Sequence, residues 1–331
     1  MILLDQPFDS FEEMSSLISQ WDIDFRQLSS EQFKSSIFQA HTGSMLLSNV
    51  EFGCVVEHKG ATPDGMRTFA LLCAGSPEFN WFGHPVKQNN LMIFPAHGEN
   101  SAFSRIGFKA MTVSLPETEL VELFEHNGIR NISRYLRPGE VVKQAAKEYL
   151  DELRALLLEL EQALKNTDHS GNRLSFIETV QNQIKHTLFD IIVGSRFNPQ
   201  RPNLRHFKLL NQFIGFIDDQ IDEQISLKDL YMETQVSDRT IQNLFREFTG
   251  LSPKSYISGK KLYKVHRQLW HAKGSEQSIT EIIANSGFWH MGQFAADYSK
   301  LFGELPSETI RRQNHLQRSG PDLTGCSAHQ T

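Results

Sequence analysis

The chain has 331 residues, of which 39% are hydrophobic, 22% are charged and 10% are aromatic. This composition excludes a wholly disordered protein, and the length predicts two domains of ordinary size joined by a connector. The formal net charge of -6 excludes a chain that is basic throughout, so any binding of nucleic acid would require a local basic surface.

Three features of the sequence predict a cytoplasmic protein with no membrane partner. The first 20 residues are acidic rather than basic and lack the apolar core of a signal peptide. No apolar run reaches the roughly 18 residues that a membrane span needs. The three cysteines, Cys54, Cys73 and Cys326, are widely spaced and odd in number, which argues against a disulfide framework and against a zinc site.

Residues 1–116 predict a β-rich N-terminal domain. Short apolar runs, such as those at 68–73 and 91–94, are separated by Gly, Pro and Asn. Closely spaced strands with such turn residues are typical of a small barrel or sandwich.

Between residues 117 and 197 the periodicity becomes helical, and this stretch is predicted to be a connector and a dimerisation region. One apolar stripe recurs every three or four residues and consists of Leu150, Leu153, Leu157, Leu160 and Leu164. Two partners for the stripe stay open at this point. It packs on the β domain of its own chain, or it forms a coiled-coil seam with a second copy.

A linker is predicted at residues 198–203, where Pro199 and Pro202 prevent a helix from continuing. Beyond it, residues 204–313 predict an all-helical domain and residues 314–331 predict a loose tail. The expected fold class is therefore α+β, with an N-terminal β-barrel, a helical connector and a C-terminal all-α domain.

Two stretches of the helical domain repeat one pattern, with a shift of a single residue at the turn. Ser226 and Ser278 each open a short helix, and Ser278 begins the S-x-x-E pattern that caps a helix. In the first copy, Ser237 is predicted to cap a second helix. Four residues of that helix project outward with side chains suited to base edges and phosphates: Arg239, Gln242, Asn243 and Arg246. Each copy therefore predicts a helix-turn-helix unit.

The paired motifs resemble the AraC/XylS family of transcription regulators over residues 207–312. The likeness rests on segments 236–246 and 250–253 of the first copy and on segments 278–282, 287–288 and 302–307 of the second. It implies base-reading roles for Arg239, Gln242 and Asn243. In the second copy it implies that His290, Met291, Gln293 and Ala296 lie on the reading face, and segment 287–294 is most similar to regulators of ethanolamine utilisation. Lys300 is a separate candidate for a DNA phosphate contact in this copy.

The resemblance implies a sequence-specific regulator, interpreted here as an activator. Its partners would be double-stranded DNA in two successive major grooves, RNA polymerase, and a second copy of the chain in a homodimer. The helix that joins the two units is rich in lysine. Two interpretations of these lysines stay open: they contact DNA phosphates, or they form an ordinary solvent-exposed face. The candidate phosphate contacts are Ser237, Lys254, Lys260, Lys261, Lys264 and Arg267.

The resemblance also implies that the N-terminal domain is a cupin-like barrel that binds a small-molecule effector. The candidate effector-binding residues are His58, Arg67, Phe69 and Trp81, which would combine apolar walls with a few polar groups. The alternative to effector binding is that these side chains simply pack in the core of the domain. A second alternative is that the N-terminal domain binds no small molecule and only dimerises or binds a partner protein.

An enzyme is the remote alternative, and no catalytic residue, cofactor or metal site is predicted. The nearest metal-like cluster, His97-Gly98-Glu99, has no second histidine beside it and is interpreted as a polar turn. An alkyl-transfer enzyme would need a reactive cysteine. Cys54 and Cys73 instead lie in apolar strand patterns, and Cys326 lies in the predicted tail.

Overall fold

The computed structural model describes residues 2–8, 10–18, 21–30, 35–96, 100–166, 171–197, 203–272 and 278–318. The predicted linker lies outside these residues except for Asn203, and so do the His97-Gly98-Glu99 cluster and Cys326. None of the described helices is long and apolar enough to cross a lipid bilayer.

The strands lie in the first 197 residues, and short apolar runs bounded by turns produce most of them. They are β1 (Ile2–Phe8), β2 (Asp22–Gln27), β3 (Ser35–Thr42), β4 (Met45–Phe52), β5 (Val56–Ala61), β6 (Met66–Leu72), β7 (Phe79–Trp81), β8 (His84–Val86), β9 (Asn90–Ile93), β10 (Asn100–Ser104), β11 (Phe108–Pro116), β12 (Val142–Gln144) and β13 (Arg196–Phe197).

The described helices lie within and after this β region. They are α1 (Phe11–Leu17), α2 (Glu117–His126), a 3-10 turn (Ile132–Arg134), α3 (Lys147–Lys165), α4 (Gly171–Gly194), α5 (Leu204–Asp219), α6 (Leu227–Thr234), α7 (Asp238–Thr249), α8 (Pro253–His271), α9 (Ile279–Asn285), α10 (Met291–Phe302) and α11 (Pro306–Arg318). Helix α11 ends five residues inside the predicted tail, and the rest of that tail lies outside the described residues.

The strands in the described part of the chain form three separate sheets. The largest has eight strands in the order β1-β3-β4-β11-β6-β9-β12-β13, and the others are β10-β5-β2 and the hairpin β7-β8. Apolar side chains from the eight-stranded and three-stranded sheets share one core, which includes Phe25, Phe52 and Phe108. The mixed α+β class is confirmed, but the predicted barrel is not, because the described strands divide between sheets and do not close on themselves.

The outer face of the large sheet is covered by α3 and α4, which pack against each other and on the strands. Leu150, Leu153, Leu157 and Leu160 are fully buried there, and Leu164 is 8% exposed. Their neighbours are side chains of the same chain on α4 and the sheet, such as Ile184 and Leu71. Of the two partners left open for the stripe, the structure therefore favours the β region of its own chain. The coiled-coil seam is wrong, because burying the stripe within the chain leaves it no exposed apolar surface.

The C-terminal helices have two small cores, one for each repeat, and α8 contributes to both. The first core also contains Leu28, Val55 and Phe103 of the N-terminal region. The two regions pack closely, since a Cβ atom on Gly259 of α8 would lie 2.8 Å from the backbone oxygen of Leu28. The helical domain is thus docked on the edge of the β region formed by β2, β5 and β10.

Candidate nucleic-acid interface

The first helix-turn-helix unit consists of α6 and α7. The Ser226 side chain accepts a bond from the Asp229 backbone N–H, and the Asp229 carboxylate accepts one from the Ser226 N–H at 2.7 Å. This reciprocal cap fixes where α6 begins. The turn to α7 passes through Gln235 in the left-handed region, with φ of 57°. The predicted start of α7 is also found, because the Ser237 Oγ accepts a bond from the Thr240 N–H.

One face of α7 is buried and the opposite face is open. Ile241, Leu244, Phe245 and Phe248 are at most 2% exposed and join the first core. Arg239, Asn243 and Arg246 are exposed and Gln242 is half-buried. The four predicted DNA-reading side chains therefore share the side of α7 that faces away from the protein.

The second unit, α9 and α10, repeats this design. Ser278 and Glu281 form the predicted capping box, with the Ser278 N–H donating to Glu281 Oε2 at 2.7 Å. Gly287 takes the left-handed turn position at φ of 78°, and a Cβ atom there would lie 2.7 Å from the Asp222 backbone oxygen. Glycine is therefore required at this turn by both conformation and space. Helix α10 then begins after His290.

The open face of α10 carries fewer free polar groups than that of α7. His290, Gln293 and Lys300 are exposed and Met291 is half-buried, but the Gln293 amide donates to Asp297 Oδ1 at 2.9 Å. Trp289 stands before the helix with 72% of its surface exposed. Sequence reasoning did not select Trp289, although its place two residues before α10 was a signal for it.

Helix α8 joins the two units and carries the predicted phosphate-contacting lysines. Lys260 is 5% exposed; its Nζ lies 3.4 Å from Glu57 Oε2 and also pairs with Asp218. Its predicted phosphate role is therefore wrong in this arrangement, because a buried, doubly paired ammonium does not reach DNA. Lys254 is exposed on the first turn of the same helix.

The remaining basic residues of α8 have partners of their own. Lys261 donates to the Glu223 backbone oxygen, Lys264 Nζ lies 2.6 Å from Asp222 Oδ1, and Arg267 Nη1 lies 3.2 Å from Asp24 Oδ2. Burial is the largest influence on the Lys261 pKa and lowers it, against the opposing effect of nearby Asp222 and Glu223. Phosphate contacts from these three side chains stay predictions.

The comparisons with known proteins agree with this geometry. A helix-turn-helix domain family matches residues 231–312, which covers most of both units. The XylDLEGF operon transcriptional activator of Pseudomonas putida is 29% identical over 183 residues, covering 53% of this chain and 54% of that protein. Activator 3 for the same operon, also from Pseudomonas putida, is 38% identical over 100 residues, which is 30% of each chain.

Over its helix-turn-helix units, the chain is similar to regulators of the AraC/XylS family.

Among solved structures, a probable AraC family regulator from Rhodopseudomonas palustris is 29% identical and covers 32% of this chain and 97% of its own, with a TM-score of 0.30. The AraC-like transcriptional activator CuxR is 12% identical and covers 80% of this chain and 96% of its own, with a TM-score of 0.42. The matched region spans only about half the length of the first Pseudomonas putida activator, at 54%. The activity of the whole protein is therefore a proposal.

The N-terminal region contains an apolar cavity between the eight-stranded and three-stranded sheets. It encloses about 810 Å³ of empty space, counting the part that opens to solvent, and His58 and Trp81 line it. Arg67 and Phe69 do not. Arg67 Nε instead donates to Glu117 Oε1 at 2.6 Å, and Phe69 is fully buried on the opposite face of the sheet, towards α3 and α4.

Two observations on the described residues concern the enzyme alternative: the state of the thiols and the placement of possible metal ligands. Cys54 is buried, and burial raises the pKa of the Cys73 thiol to about 11. A thiol with a raised pKa is a poor nucleophile at neutral pH, so Cys73 does not favour the alkyl-transfer alternative. Across the described ranges, no three His, Cys, Asp or Glu side chains are placed together to hold a metal ion.

Proposed function

We propose that the chain is a sequence-specific DNA-binding transcription regulator of the activator type. Its two helix-turn-helix units would enter successive major grooves on one face of the duplex. The single observation that carries this proposal is the open face of α7, where Arg239, Gln242 and Asn243 lie outward over a fully buried apolar face. Arg pairs bidentately with guanine, and Gln and Asn pair with adenine.

Helix α8 supports the two-groove arrangement. It has 19 residues, which corresponds to a rod of about 28 Å, and it contributes to the cores of both units. A rigid joint of that length is compatible with two recognition helices about 34 Å apart, which is one turn of B-form DNA. The first unit supplies most of the hydrogen-bonded discrimination, since Gln293 in the second is already bonded to Asp297.

The N-terminal region is proposed to sense a small molecule and to control DNA binding through its contact with the helical domain. The cavity beside His58 supports a sensor over a domain that only dimerises. Arg105 on the turn after β10 supports the control, because its Nη2 donates to the backbone oxygens of Arg246 at 3.2 Å and Glu247 at 2.5 Å. These carbonyls lie in the last turn of α7. RNA polymerase and a second copy of the chain complete the proposed partners.

Selection of random double-stranded oligonucleotides by the purified chain tests the DNA-binding function. We expect enrichment of a motif with two half-sites about 10 base pairs apart. Arg239→Ala should cost about 1–3 kcal/mol and relax the preference at one base position. The matched control is Arg130→Ala, which removes the same charge from an exposed position between α2 and the 3-10 turn.

Two results would contradict the DNA-binding function. One is a selected pool with no enriched motif. The other is an Arg239→Ala variant whose affinity and motif at fixed salt equal those of the Arg130→Ala control.

A further inference from the structure

The cavity in the N-terminal region has no charged wall. Its described lining residues include no Asp, Glu, Lys or Arg, and most are aromatic or aliphatic. Phe25, Phe52 and Phe108 surround the ring of His58, with centroid distances from 5.3 to 6.0 Å. Burial lowers the pKa of His58 to about 4, so the imidazole is neutral at physiological pH. An ionised ligand would therefore have no oppositely charged side chain on these walls. The free energy that it loses on leaving water would not be offset by a charge pair.

Polar atoms without a partner line the same cavity. Gln39, Ser48 and Thr112 stand side by side on β3, β4 and β11, because Gln39 is in register with Ser48 and Ser48 with Thr112. We call these three residues the polar row. Each is at most 9% exposed, and Gln39 Oε1, Ser48 Oγ and Thr112 Oγ1 have no hydrogen-bond partner within the protein. Buried polar groups are nearly always bonded, so three adjacent unbonded oxygens indicate a site for a bonding partner.

Three nitrogens complete the set of unbonded polar atoms around the cavity. Trp21 Nε1, Trp81 Nε1 and His58 Nε2 are buried and have no partner within the protein. An indole nitrogen only donates, whereas the Gln39 Oε1 atom only accepts. A ligand that bonds to both kinds of atom must carry a donor and an acceptor. A carboxylate cannot meet this requirement, because it only accepts.

We infer that the cavity binds an uncharged, mostly apolar molecule whose single polar group both donates and accepts, such as a carboxamide or an alcohol. The oxygens of the polar row accept a hydrogen bond from the donor of that group. The indole N–H groups donate to its acceptor. Apolar rings or chains of the ligand pack among the phenylalanines. This inference rests on the sensor function proposed above and names the chemical class of its effector.

A pair of nearly isosteric probes tests the inference in the absence of DNA. Calorimetric titration of the full chain with 2-naphthamide and with 2-naphthoate at neutral pH compares an amide and a carboxylate on one ring system. We expect the amide to bind more tightly by a factor of about 10 or more, because the buried carboxylate is unpaired. Equal or tighter binding of 2-naphthoate would overturn the inference. So would the absence of binding by both probes, which would leave the cavity to water.

Substitutions in the polar row separate ligand binding from folding. Thr112→Val is isosteric and removes an unbonded hydroxyl, so the free protein should be as stable as before while 2-naphthamide binds about fivefold more weakly. The control is Thr68→Val on β6, because the Thr68 hydroxyl is bonded to Ser114 at 2.7 Å and does not line the cavity. This control should lose stability and keep its affinity for 2-naphthamide.

The two proposals fail separately. An affinity for 2-naphthamide that is unchanged in Thr112→Val would refute the ligand assignment while leaving the selected DNA motif intact. Conversely, a chain that binds 2-naphthamide as expected but selects no DNA motif would refute the regulator function alone.

Discussion

His266 Nε2 lies 3.0 Å from Glu12 Oε2, and this contact joins α8 of the helical domain to α1 of the N-terminal region. The other ring nitrogen, Nδ1, lies 2.5 Å from the Tyr298 hydroxyl on α10. Both side chains of this contact are nearly inaccessible, with 2% exposure for His266 and 7% for Glu12. One buried imidazole therefore connects α1 of the N-terminal region to α10.

Glu12→Gln should destabilise the docked arrangement in a pH-dependent way. Burial raises the pKa of Glu12, but the neighbouring His266, a backbone hydrogen bond and Arg312 together lower it below the ordinary 4.5. Because the Glu12 pKa is lower in the folded state than in the unfolded state, the ionised carboxylate stabilises the fold above pH 4.5. This stability is lost as the pH falls through the folded-state pKa. Urea unfolding should show a deficit of about 1–3 kcal/mol at neutral pH that shrinks towards zero in acid. Glu122→Gln, on the exposed side of α2, is the control and should show no deficit.

His58→Gln should make the protein less sensitive to mild acid. The His58 pKa is lowered from 6.5 to about 4 by burial, so below pH 6.5 the unfolded chain takes up a proton that the folded chain does not. The wild type should lose about 2 kcal/mol of unfolding free energy between roughly pH 7 and pH 5 through this group alone. The variant should not. His186→Gln, at an exposed position of α4, should keep the wild-type pH profile, and identical profiles for all three proteins would refute the assignment.

Gly259→Ala should separate the helical domain from the N-terminal region. Alanine is favoured over glycine in a helix by about 1 kcal/mol, but here its Cβ would lie 2.8 Å from the Leu28 backbone oxygen. Gly215→Ala, in α5, meets nothing within 4 Å and should be stabilising. Small-angle scattering should show a larger radius for Gly259→Ala only. If both variants gain stability and keep the wild-type radius, the close packing at Leu28 does not exist in solution.

Two lysines of α8 should differ in how they affect the salt dependence of DNA binding. Lys254→Ala should reduce the slope of log affinity against log salt by about 0.9, the amount expected for one lost phosphate contact. Lys260→Met should leave the slope unchanged and instead cost about 3 kcal/mol of stability, because Glu57 and Asp218 lose their buried partner. Both slopes are measured below the unfolding transition, checked by circular dichroism. A reduced slope in Lys260→Met would restore its original assignment as a phosphate contact.

Local patterns along the chain were enough to predict the helical domain in detail. The caps at Ser226, Ser237 and Ser278 involve residues only three positions apart, so they can be read directly from the sequence. The same holds for the buried and open faces of α7, because helical periodicity alone assigns each position to one side. The leucine spacing of α3 likewise predicted an apolar stripe.

Only the tertiary structure decided which surface covers each of these faces. The sequence permits the leucine stripe to meet a second copy or its own sheet, and it does not reveal that Glu57, some 200 positions away, buries Lys260. The polar row also depends on register between strands, since Gln39, Ser48 and Thr112 become neighbours only when β3, β4 and β11 pair. Periodicity is a property of nearby residues, whereas burial, charge pairing and cavities arise from segments that are distant in the chain.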